Sequence, residues 1–155
     1  MEYFSIKMAL DEKDFSIIGV LLDNSKLTTH EISKKLKIPI TTVHNRIKRL
    51  EETGVIKGYS ALIDYDKVGR GILSYILVTV NYSLPSGGKM NQEELARRIR
   101  KLPEVESVSI VTGDTDMIIR TRVKSIRELS QFILKKLRTF DGIDKAISMI
   151  VLNDI

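Results

Sequence analysis

The stretch LTTHEISKKLKIPITTVHNRIKRLEETG, residues 27–54, decides how the chain is read. Thr28 stands three residues before Glu31, the spacing at which a hydroxyl and a carboxylate cap the first turn of a helix reciprocally. That opens a short helix with Ile32 and Leu36 turned inward. After Lys37-Ile38-Pro39 a longer helix runs from about Ile40 to Thr53. Val43, Ile47 and Leu50 share its inner face, Pro39 suits a helix start, and Gly54 supplies a left-handed stop. Upstream, Asp11 is expected to cap a helix with Phe15, Ile18, Leu21 and Leu22 on one apolar face, ended by Asn24-Ser25. Three helices with a tight connection between the last two read as a helix-turn-helix.

With Val43, Ile47 and Leu50 facing a core, the outer surface of the third helix carries Thr41, Thr42, Asn45, Arg46, Lys48 and Arg49. These side chains suit DNA. Arg donates two hydrogen bonds to guanine in the major groove, Asn pairs bidentately with adenine, Thr touches the thymine methyl, and Lys neutralises phosphate. Between His30 and Leu50 six Lys or Arg stand against the single acid Glu31, so positive charge is focused where a recognition helix would lie. His30 and His44 fall in the same region, with no Cys and no H-x-x-x-H spacing to make a metal site.

Working outward, Val55 to Ile63 alternates and is β-branched, which predicts a short strand packed beside the helices as a wing. Asp64 to Gly71 breaks the apolar pattern with charges and two glycines and reads as a hinge. Beyond it come a strand at about Ile72 to Tyr82, a loop through Pro85-Ser86-Gly87-Gly88, and a helix with Leu95, Ile99 and Leu102 inward. A strand near Ser107 to Val111, a turn at Gly113 to Thr115, and a strand near Met117 to Val123 follow. On that strand Arg120 and Arg122 are expected on an exposed face. Ser125 and Glu128 form another capping box, opening a helix with Ile126, Leu129, Ile133 and Leu137, and Gly142 precedes a last strand to about Leu152. The order β-α-β-β-α-β is ferredoxin-like. The fold class expected is therefore α+β, with a winged helix-turn-helix domain over 8–63, a hinge over 64–71 and a ferredoxin-like βαββαβ domain over 72–155. The first strand of that domain, GILSYILVTV, is apolar on both sides, which predicts that its second face is covered by another copy of the chain.

Whole-chain composition limits the remaining possibilities. The 155 residues are 43% apolar, enough to build cores, and 25 Lys and Arg against 20 Asp and Glu leave a net charge of +5. The chain has no Cys, which excludes disulfide staples and thiolate chemistry and fits a cytoplasmic protein. The most apolar run, Gly71 to Val80, falls well short of the ~20 residues a membrane helix requires, so no membrane association is expected. Residues 64–155 contain neither His nor Cys. No catalytic, cofactor or metal site is expected.

The segment VHNRIKRLEETGVIKGYSALID, residues 43–64, resembles the recognition helix and wing of the Lrp/AsnC family of feast/famine transcription regulators. LDEKDFSIIGVLLDNSKLTTHEISKKLKI upstream is similar to that family's first two helices. EVESVSIVTGDTDMIIRTRV downstream is similar to the strand-turn-strand of its ligand-sensing domain, including a T-G-x-x-D turn. Together these cover about residues 8–152. The resemblance implies a homodimeric regulator of double-stranded DNA, pairing through its sheets and assembling into tetramers or octamers. Its operator would be a pseudo-palindrome with half-sites about one helical turn, ~34–36 Å, or a multiple apart. It also implies a small effector such as an amino acid bound between dimers, at Thr112, Gly113, Asp114 and Asp116. Two departures stand out: Lys37-Ile38-Pro39 replaces the family's usual Gly and capping Ser, and the loop from Ser83 to Met90 is long. Two other readings share the architecture, a sirohaem decarboxylase-like enzyme and an architectural DNA-binding protein without effector.

Overall fold

The computed structural model describes residues 9–83 and 90–153 and divides the chain into two compact units, one ending at Leu62 and one starting at Ile63. The predicted loop around Pro85 to Gly88 lies outside the described residues.

The first unit is helical: α1 spans Glu12–Asp23, α2 Thr29–Leu36 and α3 Ile40–Glu52. Asp11 and Asp14 cap α1 reciprocally, and Thr28 and Glu31 do the same for α2. At the end of α2 Lys37 takes the left-handed conformation at φ 54°, in a place where the family's glycine would carry no steric penalty. Two bonds across this turn hold it: the Ile38 amide donates to the Ser33 carbonyl at 3.2 Å, and the Ser33 hydroxyl donates to the Ile38 carbonyl at 2.6 Å. Pro39 then starts α3 with no side-chain cap, and Gly54 follows its end at φ 71°.

The core of this unit is Ile17, Val20, Ile32, Ile38, Val43 and Leu50. Two sequence expectations fail here. Phe15 and Leu22 are 59% and 83% exposed, because the buried side of α1 is centred on Asp14 and Ile17 instead. Residues 55–63 form no strand. A strand needs a partner for its amides and carbonyls, and among the described residues none pairs with this segment. The Ile56 amide instead donates to the Leu50 carbonyl at 2.9 Å, and Val55, Tyr59, Leu62 and Ile63 are exposed.

In the second unit β1 spans Ile72–Val80, α4 Gln92–Arg100, β2 Val105–Ile110, β3 Met117–Val123, α5 Ile126–Lys135 and β4 Ile143–Ile150, with a short 3-10 turn at Leu137–Thr139. The four strands make one antiparallel sheet in the order β2-β3-β1-β4, the ferredoxin-like arrangement. Ile76, Val78, Met117, Ile119 and Val123 form its helix-side core with Leu95, Ile99, Leu129 and Phe132. On α5 Phe132 is buried, whereas Ile126, expected inward, is 52% exposed, and Leu137 is buried from the 3-10 turn.

The expected hinge segment is tied to this unit. Arg70 donates to the carbonyls of Pro103 and Arg122 at 2.9 and 3.0 Å, and the Tyr65 ring lies 3.8 Å from the Arg122 guanidinium. Arg122 is therefore buried, against expectation, and its Nε donates to Glu106 at 2.6 Å. Arg120 pairs with the same carboxylate at 3.0 Å. Away from this charged corner the helix-free face carries an apolar patch where Ile147 and Met149 on β4 are exposed beside half-buried Leu77 and Ile118, flanked by exposed Ser109 on β2 and Lys145 on β4.

Candidate nucleic-acid interface

The outer surface of α3 has two distinct parts. Thr41, Asn45 and Lys48, spaced i, i+4, i+7, form an exposed stripe. Lys48 lies 3.8 Å from Glu52, and both side chains are 64% exposed, so the pair contributes little and leaves the ammonium available. His44 flanks the stripe and is also exposed. Lys34, Lys35 and Lys37 add positive charge on α2 and the turn, with Lys35 loosely paired to Asp23 at 3.4 Å.

The other part faces α1. Thr42 is half-buried. Arg46 Nη1 donates to Asp11 Oδ1 at 2.6 Å and to Asp14 Oδ1 at 2.8 Å, and Arg49 Nη2 donates to Asp14 Oδ2 at 2.6 Å. Asp14 is fully buried, whereas the Arg46 and Arg49 side chains are 20% and 44% exposed. The cap of α1 and the clasp on α3 are the same two carboxylates. Sequence reasoning grouped all six side chains as one polar face and did not single out Asp14. The signal available was its position three residues after Asp11, the capping-box spacing, inside a stripe otherwise apolar.

Burial works to raise the Asp14 carboxyl, but the Asp11 amide and the two guanidinium groups outweigh it and hold its pKa below the ordinary 3.8. The Asp14 amide and then Arg46 lower Asp11 likewise, and the two carboxylates raise Arg46. A carboxyl depressed in the folded chain stabilises it fully above the unfolded value and loses that contribution as pH falls through the folded one. The helical unit is therefore expected to hold constant urea stability from neutral pH to about pH 5 and to weaken below ~4. Asp14→Asn should flatten that acid limb. Unchanged steepness in the variant would show that the clasp does not govern it.

In the second unit the T-G-x-x-D turn closes the β2–β3 hairpin. Gly113 sits at φ 117°, a conformation reserved for glycine, and Thr112 and Asp114 are exposed. Asp116 is placed differently. Its carboxylate accepts from the Val80 amide at 2.8 Å and the Tyr82 hydroxyl at 2.7 Å, while its backbone bonds Val78 and Val111. The bond to Asp116 also pushes the Tyr82 hydroxyl pKa up. The structure thus brings Thr112, Gly113 and Asp114 together at the hairpin tip and sets Asp116 into its base.

Known proteins share both halves of this arrangement. Residues 10–57 match a winged helix-turn-helix DNA-binding family and residues 76–155 match the Lrp/AsnC ligand binding domain. The HTH-type transcriptional regulator FL11 of Pyrococcus horikoshii is 37% identical over 147 residues, covering 95% of this chain and 92% of that protein. A transcriptional regulator of Neisseria meningitidis, solved in complex with L-Met, superposes with a TM-score of 0.85 at 31% identity over 95% of this chain and 92% of its own. LrpC of Bacillus subtilis shares the fold, with a TM-score of 0.81 at 24% identity over 96% and 98% of the two chains. No helix among the described residues is long and apolar enough to cross a membrane. The chain belongs to the Lrp/AsnC family of helix-turn-helix transcription regulators.

Proposed function

We propose that the chain is a cytoplasmic homodimeric regulator that reads a pseudo-palindromic operator with α3 and answers to a small amino-acid effector. The observation that carries this reading is the exposed stripe of Thr41, Asn45 and Lys48, with Arg49 beside it. It offers a methyl contact, a bidentate amide and two cations in the order a major groove can use. Arg46 lies on the flank toward α1 and braces the helix. The apolar, helix-free sheet face around Leu77, Ile118, Ile147 and Met149 supports pairing with a second copy. Such a dimer presents two copies of α3 to successive grooves, and tetramers or octamers would be built from it.

The effector site is proposed at Thr112, Gly113 and Asp114, where Asp114 holds an ammonium group and the open backbone at Gly113 admits a carboxylate. Asp116 shapes the turn from below. The L-Met complex of the Neisseria relative supports an amino acid as the chemical class. Membership in a regulator family weighs against the decarboxylase reading. Selection of binding sites from a random duplex library tests the DNA reading: enrichment of a two-fold symmetric site is expected, and no enrichment would reject it. Calorimetry against the twenty amino acids tests the effector. Heat from at least one is expected, abolished by Asp114→Ala, and silence from all twenty would favour the architectural reading.

A further inference from the structure

The six bases between His30 and Leu50 are not equally free to meet an anion. Arg46 places one nitrogen between two carboxylate oxygens, at 2.6 and 2.8 Å, with four-fifths of its side chain out of solvent. Arg49 commits one nitrogen to Asp14 and keeps almost half of its side chain in water. Two guanidinium groups against two carboxylates make the clasp electrically neutral. For Arg46 to reach a phosphate it would have to leave Asp14 Oδ1 without its partner in a fully buried carboxylate, and breaking one side of a buried ion pair is strongly unfavourable. Both guanidinium groups are held at a single nitrogen and differ in exposure: with 44% of its side chain in water against 20% for Arg46, Arg49 can keep its bond to Asp14 and still offer its other nitrogens in a fixed orientation.

Resting on the DNA-binding reading above, we propose that Arg49 and not Arg46 makes the arginine contact of α3 with the DNA backbone. Asp14 is then a positioning residue that keeps Arg46 inside the protein and aims Arg49 outward. The number of phosphates neutralised is smaller than the sequence suggests, and the position of a carboxylate in α1 sets which arginine counts.

Two measurements on the full chain test this. The first compares charge-balanced double variants by anisotropy on a random-sequence duplex over a salt series. Each lost phosphate contact lowers the slope of log K against log salt by about 0.9. Lys48→Gln with Glu52→Gln should show that loss. Asp14→Asn with Arg46→Gln should keep the parental slope while the preference for operator over random duplex falls about tenfold, because Arg49 has lost its tether. A general loosening of the fold would lower both quantities together. The second uses the unaltered protein, labelled with an arginine-selective dicarbonyl and read by mass spectrometry. Arg46 should react slowly with or without duplex, whereas Arg49 should react readily and be protected by duplex at least about fivefold. A slope loss in the Asp14/Arg46 variant equal to that of the Lys48/Glu52 variant, or duplex protection of a readily labelled Arg46, would overturn the assignment and leave the interface standing. A parental protein with no salt-dependent DNA binding would remove the interface itself, and this assignment with it.

Discussion

Asp14→Ala is expected to destabilise the helical unit by about 3–5 kcal/mol, the cost of removing one partner from a buried ion pair. The substitution leaves Arg46 without its inner partner, in a place where only 20% of its side chain meets water. It also removes the bond from the Asp11 amide to the Asp14 carboxylate at 3.1 Å, half of the α1 capping box. Arg49 is the lesser part of the cost because it can rehydrate. For a unit of this size each kcal/mol moves the midpoint by roughly 4–8 °C, so thermal unfolding should come more than ~10 °C earlier. Lys48→Ala is the matched control, exposed and only weakly paired, and should stay within about 0.5 kcal/mol of the parent. A loss below ~1 kcal/mol for Asp14→Ala, measured by urea titration at neutral pH, would mean that the clasp is rigid geometry without energetic weight.

The second large effect concerns recognition. Asn45→Ala should weaken binding to the selected operator by about 5–150-fold, corresponding to the ~1–3 kcal/mol of a bidentate amide–adenine contact. Affinity for random duplex and its salt slope should both hold, since no charge is removed. Fold stability should hold as well or rise slightly, because Asn45 is exposed mid-helix and Ala is the better helix former. Competition of labelled operator with unlabelled random duplex measures the ratio directly. Equal losses on both duplexes would place Asn45 on the phosphate backbone and move base reading to another residue of the stripe.

Local chemistry made most of the fold legible. Asp11, Thr28 and Ser125 announce their helices because a cap is a contact between residues three apart, and β3 falls at Met117–Val123 as its alternation predicts. Ser125 departs in one detail: Glu128 bonds the Lys124 amide, so its box is one-sided. What sequence could not show depends on partners distant along the chain. Nothing local marks Asp14 for burial, because its partners Arg46 and Arg49 arrive from more than thirty positions away. Arg122 is misread for the same reason, its partners Glu106 and Tyr65 lying on other segments. The segment Val55 to Ile63 has the composition of a strand, but pairing is a property of two segments. In the site itself, the exposed stripe of α3 followed from helical periodicity, and the division between Arg46 and Arg49 did not.

The left-handed turn at Lys37 links this fold to its medium. A strained backbone costs about 1–2 kcal/mol whatever the solution contains, whereas the reach of the ammonium it carries shrinks from ~10 Å in 0.1 M salt to ~3 Å in 1 M. A glycine there would relieve the first and forgo the second. In dilute electrolyte the lysine is a long-range attractor of anions beside α3, and in brine it becomes a conformational burden with no electrostatic return, so the merit of this one residue depends on the ionic strength around it.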